Sequence, residues 1–147
     1  PGDAFRCGEA GHMTLIPDGK PCYCGKTGCV DAYCSARLLS DLSGGRLEDF
    51  FLRLQQNNPD YRSVWDTYLK HLAVVINNLH MLLDYDIVLG GYVGSFLTPW
   101  LDTIRRLVAE HNTFEDDGSF VKLCTYQTGA AAYGAAMDVM EEFLRTV

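Results

Sequence analysis

The chain has 147 residues, 48% of them hydrophobic, and its formal net charge is −7 at pH 7. This length suits one ordinary domain, and the composition is typical of a folded core rather than a disordered segment. An acidic chain without clustered Lys and Arg is unsuited to nucleic acid, because phosphate contacts need concentrated positive charge. No apolar run is long enough for a membrane span, so we expect a cytoplasmic protein.

The first thirty residues are rich in turns and carry four residues with metal-ligand spacing, His12, Cys22, Cys24 and Cys29. Three thiolates and one imidazole suit tetrahedral Zn²⁺, and structural zinc sites are usually closed by four protein ligands. Glycines and prolines between the four supply the tight turns that wrapping one ion requires. We therefore predict a structural zinc in a loop region of residues 1–30.

Two other interpretations of the six cysteines stay open. One is a disulfide framework, and the other is free cysteines buried as small hydrophobic side chains. Cys7, Cys34 and Cys124 are scattered, and the sequence shows no signal peptide that would direct it to an oxidising compartment. Clustered Cys and His in a chain that is not secreted favour metal binding over disulfides.

Helical periodicity follows the loop region. We predict a helix over residues 30–42, a second from residue 47 to a stop at residues 57–59, and a long third helix over residues 60–84. The apolar stripe of the third helix is broad enough that most of it should be buried.

The periodicity then changes. Residues 86–91 (DIVLGG) predict a buried strand ending in a glycine turn, and residues 120–126 predict a second strand. Between them, Thr98 and Pro99 are suited to begin a helix. Thr128 begins the last predicted helix, whose first half is nearly free of side chains. The order helices, strand, helix, strand, helix predicts an α/β fold.

Residues 8–12 (GEAGH) and 22–29 (CYCGKTGC) resemble the signature of the ROK family, bacterial repressors and sugar kinases built on the actin-like ATPase fold. The glycine turn at residues 90–91 and the small-residue run at residues 129–136 resemble later segments of that family, in the same order. The resemblance covers nearly the whole chain. It implies the C-terminal half of an actin-like, ribonuclease H-like fold, with a mixed sheet packed with helices.

We take residues 1–147 as a single domain of such a protein. The chain starts with Pro1 and Gly2 instead of methionine. We therefore expect it to be a C-terminal part, with the N-terminal domain lying outside it.

The resemblance also implies site residues. In the family the matching histidine and three cysteines bind a structural zinc, and the residues matching Glu9, His12 and Asp31 contact sugar hydroxyls. A carboxylate accepts two vicinal hydroxyls in one bidentate contact, and a metal-bound imidazole keeps its second N–H as a donor of fixed direction. The alternative for both carboxylates is a solvated surface group or, for Asp31, a helix N-cap.

The sequence departs from the family pattern at two positions. The family usually has glutamate where this chain has Asp31, which is one methylene shorter. Gly90 and Gly91 match the family's nucleotide-binding turn, but Tyr92 follows them, and its ring would crowd a nucleotide. ATP and Mg²⁺ are therefore expected only if the protein is a kinase.

Two function classes follow from the resemblance. Our main interpretation is the sugar-sensing half of a transcriptional repressor, because Asp31 and Tyr92 depart where a kinase would tolerate change least. The alternative is the C-terminal half of an ATP-dependent, glucokinase-like sugar kinase, inactive alone because its phosphate loop and base would lie upstream. We expect a sugar ligand, a homodimer, no membrane partner, and DNA contacts only through an N-terminal domain. A third interpretation is a zinc-stapled interaction module without a small ligand.

Overall fold

The computed structural model of the chain describes residues 8–146, so Cys7 and the start of the predicted loop region lie outside the described part. Backbone contacts divide the chain after Asn78 into two units. Within residues 8–146, no helix combines the length and the apolarity that crossing a bilayer requires.

The first unit consists of a loop followed by helices. The loop contains a 3₁₀ turn at Ala10–His12. The helices are α1 (Asp31–Cys34), α2 (Ala36–Asp41), α3 (Leu47–Gln55) and α4 (Pro59–Leu83), of which α4 continues into the second unit. The predicted bounds of α3 and α4 are thus confirmed to within one or two residues, a difference that helix assignments commonly show.

The prediction of one helix over residues 30–42 is wrong, because Ser35 separates α1 from α2. Ser35 has an extended backbone, with φ −81° and ψ 152°, and its hydroxyl accepts a hydrogen bond from the Leu38 N–H at 3.3 Å. The Tyr68 hydroxyl, contributed by α4, donates to the Cys34 carbonyl at 2.7 Å. The Ser35 side chain therefore caps the start of α2, while the Tyr68 side chain provides a hydrogen-bond donor for a free carbonyl at the end of α1.

Replacing Ser35 by alanine is expected to lower the free energy of unfolding by about 1 kcal/mol, because α2 loses its N-cap acceptor. Chemical denaturation monitored by circular dichroism measures the change. Ser40→Ala is the control, since that hydroxyl only donates to the Arg37 carbonyl of its own helix, and it should change stability by less than about 0.5 kcal/mol. Equal losses in the two variants would contradict the capping role.

An aromatic cluster between α3 and α4 forms the centre of the first unit. Trp65 is fully buried, its ring lies edge-on to Phe51 with centroids 5.1 Å apart, and it stacks on Tyr68 at 5.2 Å. The predicted burial of the α4 stripe holds in this part, whereas Leu82 and Leu83 near its end are 74% and 51% exposed. Aromatic pairs in these arrangements stabilise a core beyond their buried area.

The second unit contains the short sheet. Its elements are the strand β1 (Ile87–Leu89), α5 (Gly91–Gly94), a 3₁₀ turn at Thr98–Trp100, α6 (Leu101–Ala109), the strand β2 (Val121–Leu123), a 3₁₀ turn at Gln127–Gly129, and α7 (Ala130–Thr146). Both strands are shorter than predicted. Thr98 and Thr128 lie in 3₁₀ turns that precede α6 and α7 and do not begin the α-helices themselves.

The two strands pair in parallel, with Ile87 opposite Val121 and Leu89 opposite Leu123. The mixed sheet of the sequence analysis is therefore a two-stranded parallel sheet within residues 8–146. The physical reason is the connection, because a crossover through α6 returns the chain in its original direction. The general expectation of an α/β fold holds, although the described chain is mostly helical.

Candidate metal centre

The four predicted metal ligands lie together. One ligand atom from each of His12, Cys22, Cys24 and Cys29 falls within 4.8 Å of all the others. The Cys24 and Cys29 sulfurs are 3.7 Å apart, and the Cys22 sulfur is 4.0 Å from His12 Nδ1. With zinc bonds of about 2.3 Å to sulfur and 2.0 Å to nitrogen, tetrahedral geometry places neighbouring ligand atoms about 3.5–3.8 Å apart. Two of the spacings are thus near those of a tetrahedral site, and the four residues form a group that could hold one metal ion.

Short backbone pairings of the loop bring these ligands together. Pro21 and Thr27 form an isolated antiparallel bridge that closes a turn around Cys24, while Thr14 and Cys29 form a second. The second bridge brings the last ligand back beside the segment that follows His12. Local turns can thus assemble the site without a large core, as small metal-binding loops commonly do.

Gly28 lies where the loop is tightest. Its φ is +77°, and a Cβ at this position would collide with the carbonyl oxygen of Ile16. Its N–H donates to the Lys20 carbonyl at 2.8 Å, and its own carbonyl accepts from the N–H groups of Leu15 and Ile16. Glycine is required here both for the left-handed conformation and for the close approach of two backbone segments.

The three thiols of the cluster have different surroundings. Cys22 and Cys29 are buried and Cys24 is exposed. Burial raises the pKa of the Cys29 thiol to about 11, whereas a backbone hydrogen bond from Lys26 lowers the pKa of Cys24. All five cysteines of the described residues are free, so no disulfide framework is present among them.

The His12 ring faces two groups of different chemistry. Its Nδ1 lies on the cysteine side, and its Nε2 lies 4.0 Å from a Glu9 carboxylate oxygen and 3.4 Å from the Tyr23 hydroxyl. The Tyr23 hydroxyl donates to Asp31 Oδ2 at 2.8 Å. Glu9, His12 and Asp31, which the sequence analysis singled out, are thus brought into one polar cluster.

Tyr23 is the member of this cluster that sequence reasoning missed. It stands between two ligands, Cys22 and Cys24, and this position was the only signal that could have suggested it. Its hydrogen bond to the Asp31 carboxylate, which stabilises the neutral phenol, raises the pKa of Tyr23 to about 12.

Asp31 does not cap a helix. It is the first residue of α1, whose N-cap is Val30, and the cap position makes no side-chain hydrogen bond. The carboxylate instead lies against Gly11, where a Cβ would be 2.6 Å from Oδ1. A side chain at position 11 would displace the carboxylate, so this glycine permits the arrangement.

A cavity of about 280 Å³ lies beside the polar cluster, lined in part by Tyr23, Asp31, Ser35 and Arg37. This volume is close to the lower end of the range for small-molecule sites. Tyr23 and Asp31 therefore border the cavity, and Tyr23 also contacts the His12 ring.

In the second unit, β1 leads directly into the predicted glycine turn. Gly91 has φ +70°, and a Cβ at Gly90 would be 3.0 Å from Cys124 Cβ. Tyr92 follows and is 74% exposed. The strand and the glycine turn occur in the predicted order, and the short helix α5 that follows them was not predicted.

The Cys₃His cluster in the first unit and the glycine turn in the second are features that the sequence analysis associated with ROK proteins. The profile of the ROK family matches residues 2–142, and the chain belongs to this family.

Two curated relatives are similar to the chain over most of its length. It is 31% identical over 144 residues to N-acetylmannosamine kinase of Escherichia coli O1:K1 / APEC, covering 93% of this chain and 48% of that protein. It is 28% identical over 138 residues to N-acetylmannosamine kinase of Salmonella typhi, covering 88% and 46% respectively. The chain thus spans about half the length of the curated relatives it matches.

Proposed function

We propose that the chain is the C-terminal part of an ATP-dependent sugar kinase of the ROK family. The observation that carries this proposal is the cluster of Glu9, His12 and Asp31 beside the four metal ligands. The similarity to N-acetylmannosamine kinases supports a kinase rather than the repressor that the sequence analysis preferred. It also makes N-acetylmannosamine the first substrate to test.

We further propose that the metal is a structural zinc held by His12, Cys22, Cys24 and Cys29. Bound zinc would fix the loop and the plane of the imidazole. Because Nδ1 lies on the cysteine side, His12 would bind the metal through Nδ1 and carry its proton on Nε2. The Nε2–H group would then point towards the polar cluster. His12 thereby joins the metal site to the sugar site.

Each residue of the polar cluster has a proposed role that follows from its chemistry. Glu9 is 68% exposed at its side chain, so both carboxylate oxygens can accept vicinal hydroxyls. His12 would donate from Nε2 to a sugar oxygen, and Asp31 would accept from a further hydroxyl. None of the three is assigned a proton transfer, since the base and the phosphate loop are proposed to lie upstream.

Gly90 and Gly91 are proposed as backbone contacts to the nucleotide, because a residue without a side chain lets the main chain approach a phosphate closely. A homodimer is likewise a proposal. The sugar-sensing half of a repressor remains the second candidate, and the shorter Asp31 and the ring of Tyr92 favour it. Contacts to DNA are proposed only for that candidate.

The test uses the full-length protein with ATP, Mg²⁺ and four sugars: N-acetylmannosamine, N-acetylglucosamine, mannose and glucose. We expect release of ADP that depends on one of the sugars. Glu9→Gln should raise KM for that sugar by about tenfold or more, because it loses a charge-assisted bidentate contact. Glu48→Gln, an exposed glutamate of α3 outside the cluster, is the control and should leave KM unchanged.

Other outcomes distinguish the candidates. Sugar binding in calorimetry without ADP release, together with release of operator DNA on sugar addition, would favour the repressor. Absence of binding for every sugar would contradict both.

A further inference from the structure

We propose that Tyr23 is a positioning residue of the sugar site, whose hydroxyl fixes the Asp31 carboxylate beside the His12 ring. This inference rests on the proposed sugar binding by Glu9, His12 and Asp31. It assigns Tyr23 a role through its neighbours and not in proton or phosphoryl transfer.

The Tyr23 hydroxyl lies between Asp31 and His12. A phenol has one proton to donate, and Tyr23 gives it to Asp31 Oδ2 at 2.8 Å. The same hydroxyl lies 3.4 Å from His12 Nε2, the nitrogen that is proposed to donate to the sugar. The hydroxyl therefore forms a polar connection between an acceptor and a donor that are both proposed to bind the sugar.

The Tyr23 ring also packs against the His12 ring. It lies edge-on to the His12 ring, with centroids 5.2 Å apart and planes at 65°. Edge-to-face packing of this kind favours one orientation of each ring. Tyr23 thus restricts the direction of the His12 imidazole as well as the carboxylate of Asp31.

The surroundings of Asp31 restrict the position of its carboxylate. A Cβ at Gly11 would lie 2.6 Å from Oδ1 and 2.9 Å from Oδ2, and Oδ2 also accepts from Tyr23, so the carboxylate has little room to move on the Gly11 side and is hydrogen-bonded by Tyr23. A freely rotating carboxylate would lose conformational entropy when a sugar bound, and a fixed one has already lost it. Pre-orientation is therefore the physical benefit of the Tyr23 hydrogen bond.

The exposure of Tyr23 argues against a role limited to stability. The residue is 73% exposed and borders the cavity of about 280 Å³ beside Asp31. An exposed phenol contributes little to a hydrophobic core. Removal of its hydroxyl should then alter ligand binding without altering unfolding.

The experiment compares full-length wild type and Tyr23→Phe with N-acetylmannosamine, N-acetylglucosamine, mannose and glucose as probes. For the sugar that binds wild type, we expect Kd and KM to rise about five- to tenfold, the size of one charge-assisted hydrogen bond partly exposed to water. We expect kcat to change by less than about twofold, because the hydroxyl orients binding groups and takes no part in the transition state. Tyr85→Phe is the control, since Tyr85 is also 73% exposed and lies outside the cluster.

A double-mutant cycle with Asp31→Ala gives the decisive readout. Without its carboxylate partner, Tyr23→Phe should add less than about a twofold loss of affinity, which would show coupling between the two residues. The inference is overturned if Tyr23→Phe binds the sugar as tightly as wild type, if its loss is the same with and without Asp31, or if its melting temperature falls with the affinity. If wild type binds none of the sugars, the proposed function fails, and this inference falls with it.

Discussion

Replacing Cys29 by serine is expected to remove the metal from the loop and to destabilise the first unit. Cys29 is 3% exposed, so a substitute ligand from solvent has poor access to its position. Losing a residue that only hydrogen-bonds to a metal ligand typically weakens metal affinity about 10- to 100-fold, so losing a thiolate that binds the metal directly should weaken it by more than about 100-fold. Because metal binding is coupled to folding, we expect the unfolding temperature to fall by roughly 10 °C.

Metal content by plasma mass spectrometry and thermal unfolding with and without EDTA measure this effect. Cys124→Ser is the matched control, because Cys124 is a free cysteine of the second unit, outside the four ligands. It should keep one equivalent of metal and its response to EDTA. If Cys29→Ser retained full metal and wild-type stability, the proposed zinc site would be wrong.

Gly28→Ala is expected to lower the free energy of unfolding by about 3–5 kcal/mol, a loss otherwise typical of severe core substitutions. The new methyl group would collide with the Ile16 carbonyl oxygen, which belongs to the backbone and cannot rotate away. The collision would also separate the hydrogen-bonded segments around Lys20. Denaturant unfolding at fixed zinc concentration measures the loss.

Gly25→Ala separates this collision from backbone strain. Gly25 also has a left-handed conformation, with φ +84° against +77° for Gly28, but a Cβ there would meet nothing within 4 Å. It should therefore cost only about 1–2 kcal/mol, the usual penalty of a left-handed non-glycine residue. Similar losses at the two glycines would mean that conformation alone, and not close approach, determines the effect.

These two substitutions and the Tyr23 variant probe different properties of one loop. Cys29→Ser tests whether metal holds the loop, Gly28→Ala tests its backbone path, and Tyr23→Phe tests its ligand face. If the proposals hold, only Tyr23→Phe should alter sugar affinity without altering stability. The metal side of the loop would then stabilise the fold, while the side that carries His12 Nε2 would bind the sugar.

The features that could be predicted from the amino-acid sequence are those that depend on local chemistry. The spacing of His12, Cys22, Cys24 and Cys29 predicted that these four side chains could meet, because loop closure over so few residues is short range. Helical periodicity placed α3 and α4 within one or two residues of their observed bounds, since an amphipathic stripe repeats along one segment.

Features that depend on contacts between residues distant in sequence could not be predicted in this way. The break at Ser35 is accompanied by the bond from Tyr68 to the Cys34 carbonyl, made across 34 positions. The parallel pairing of β1 and β2 depends on how the chain returns through α6, which periodicity does not encode.

Asp31 most clearly shows the difference between what the sequence predicts and what depends on the fold. Its position at the start of a helix suggested a cap, but its carboxylate accepts from Tyr23 and lies against Gly11. Composition and spacing specify which groups are available, whereas the folded path of the backbone determines which of them meet. A hydrogen bond forms only at short range, so its partners are fixed by that path and not by sequence order.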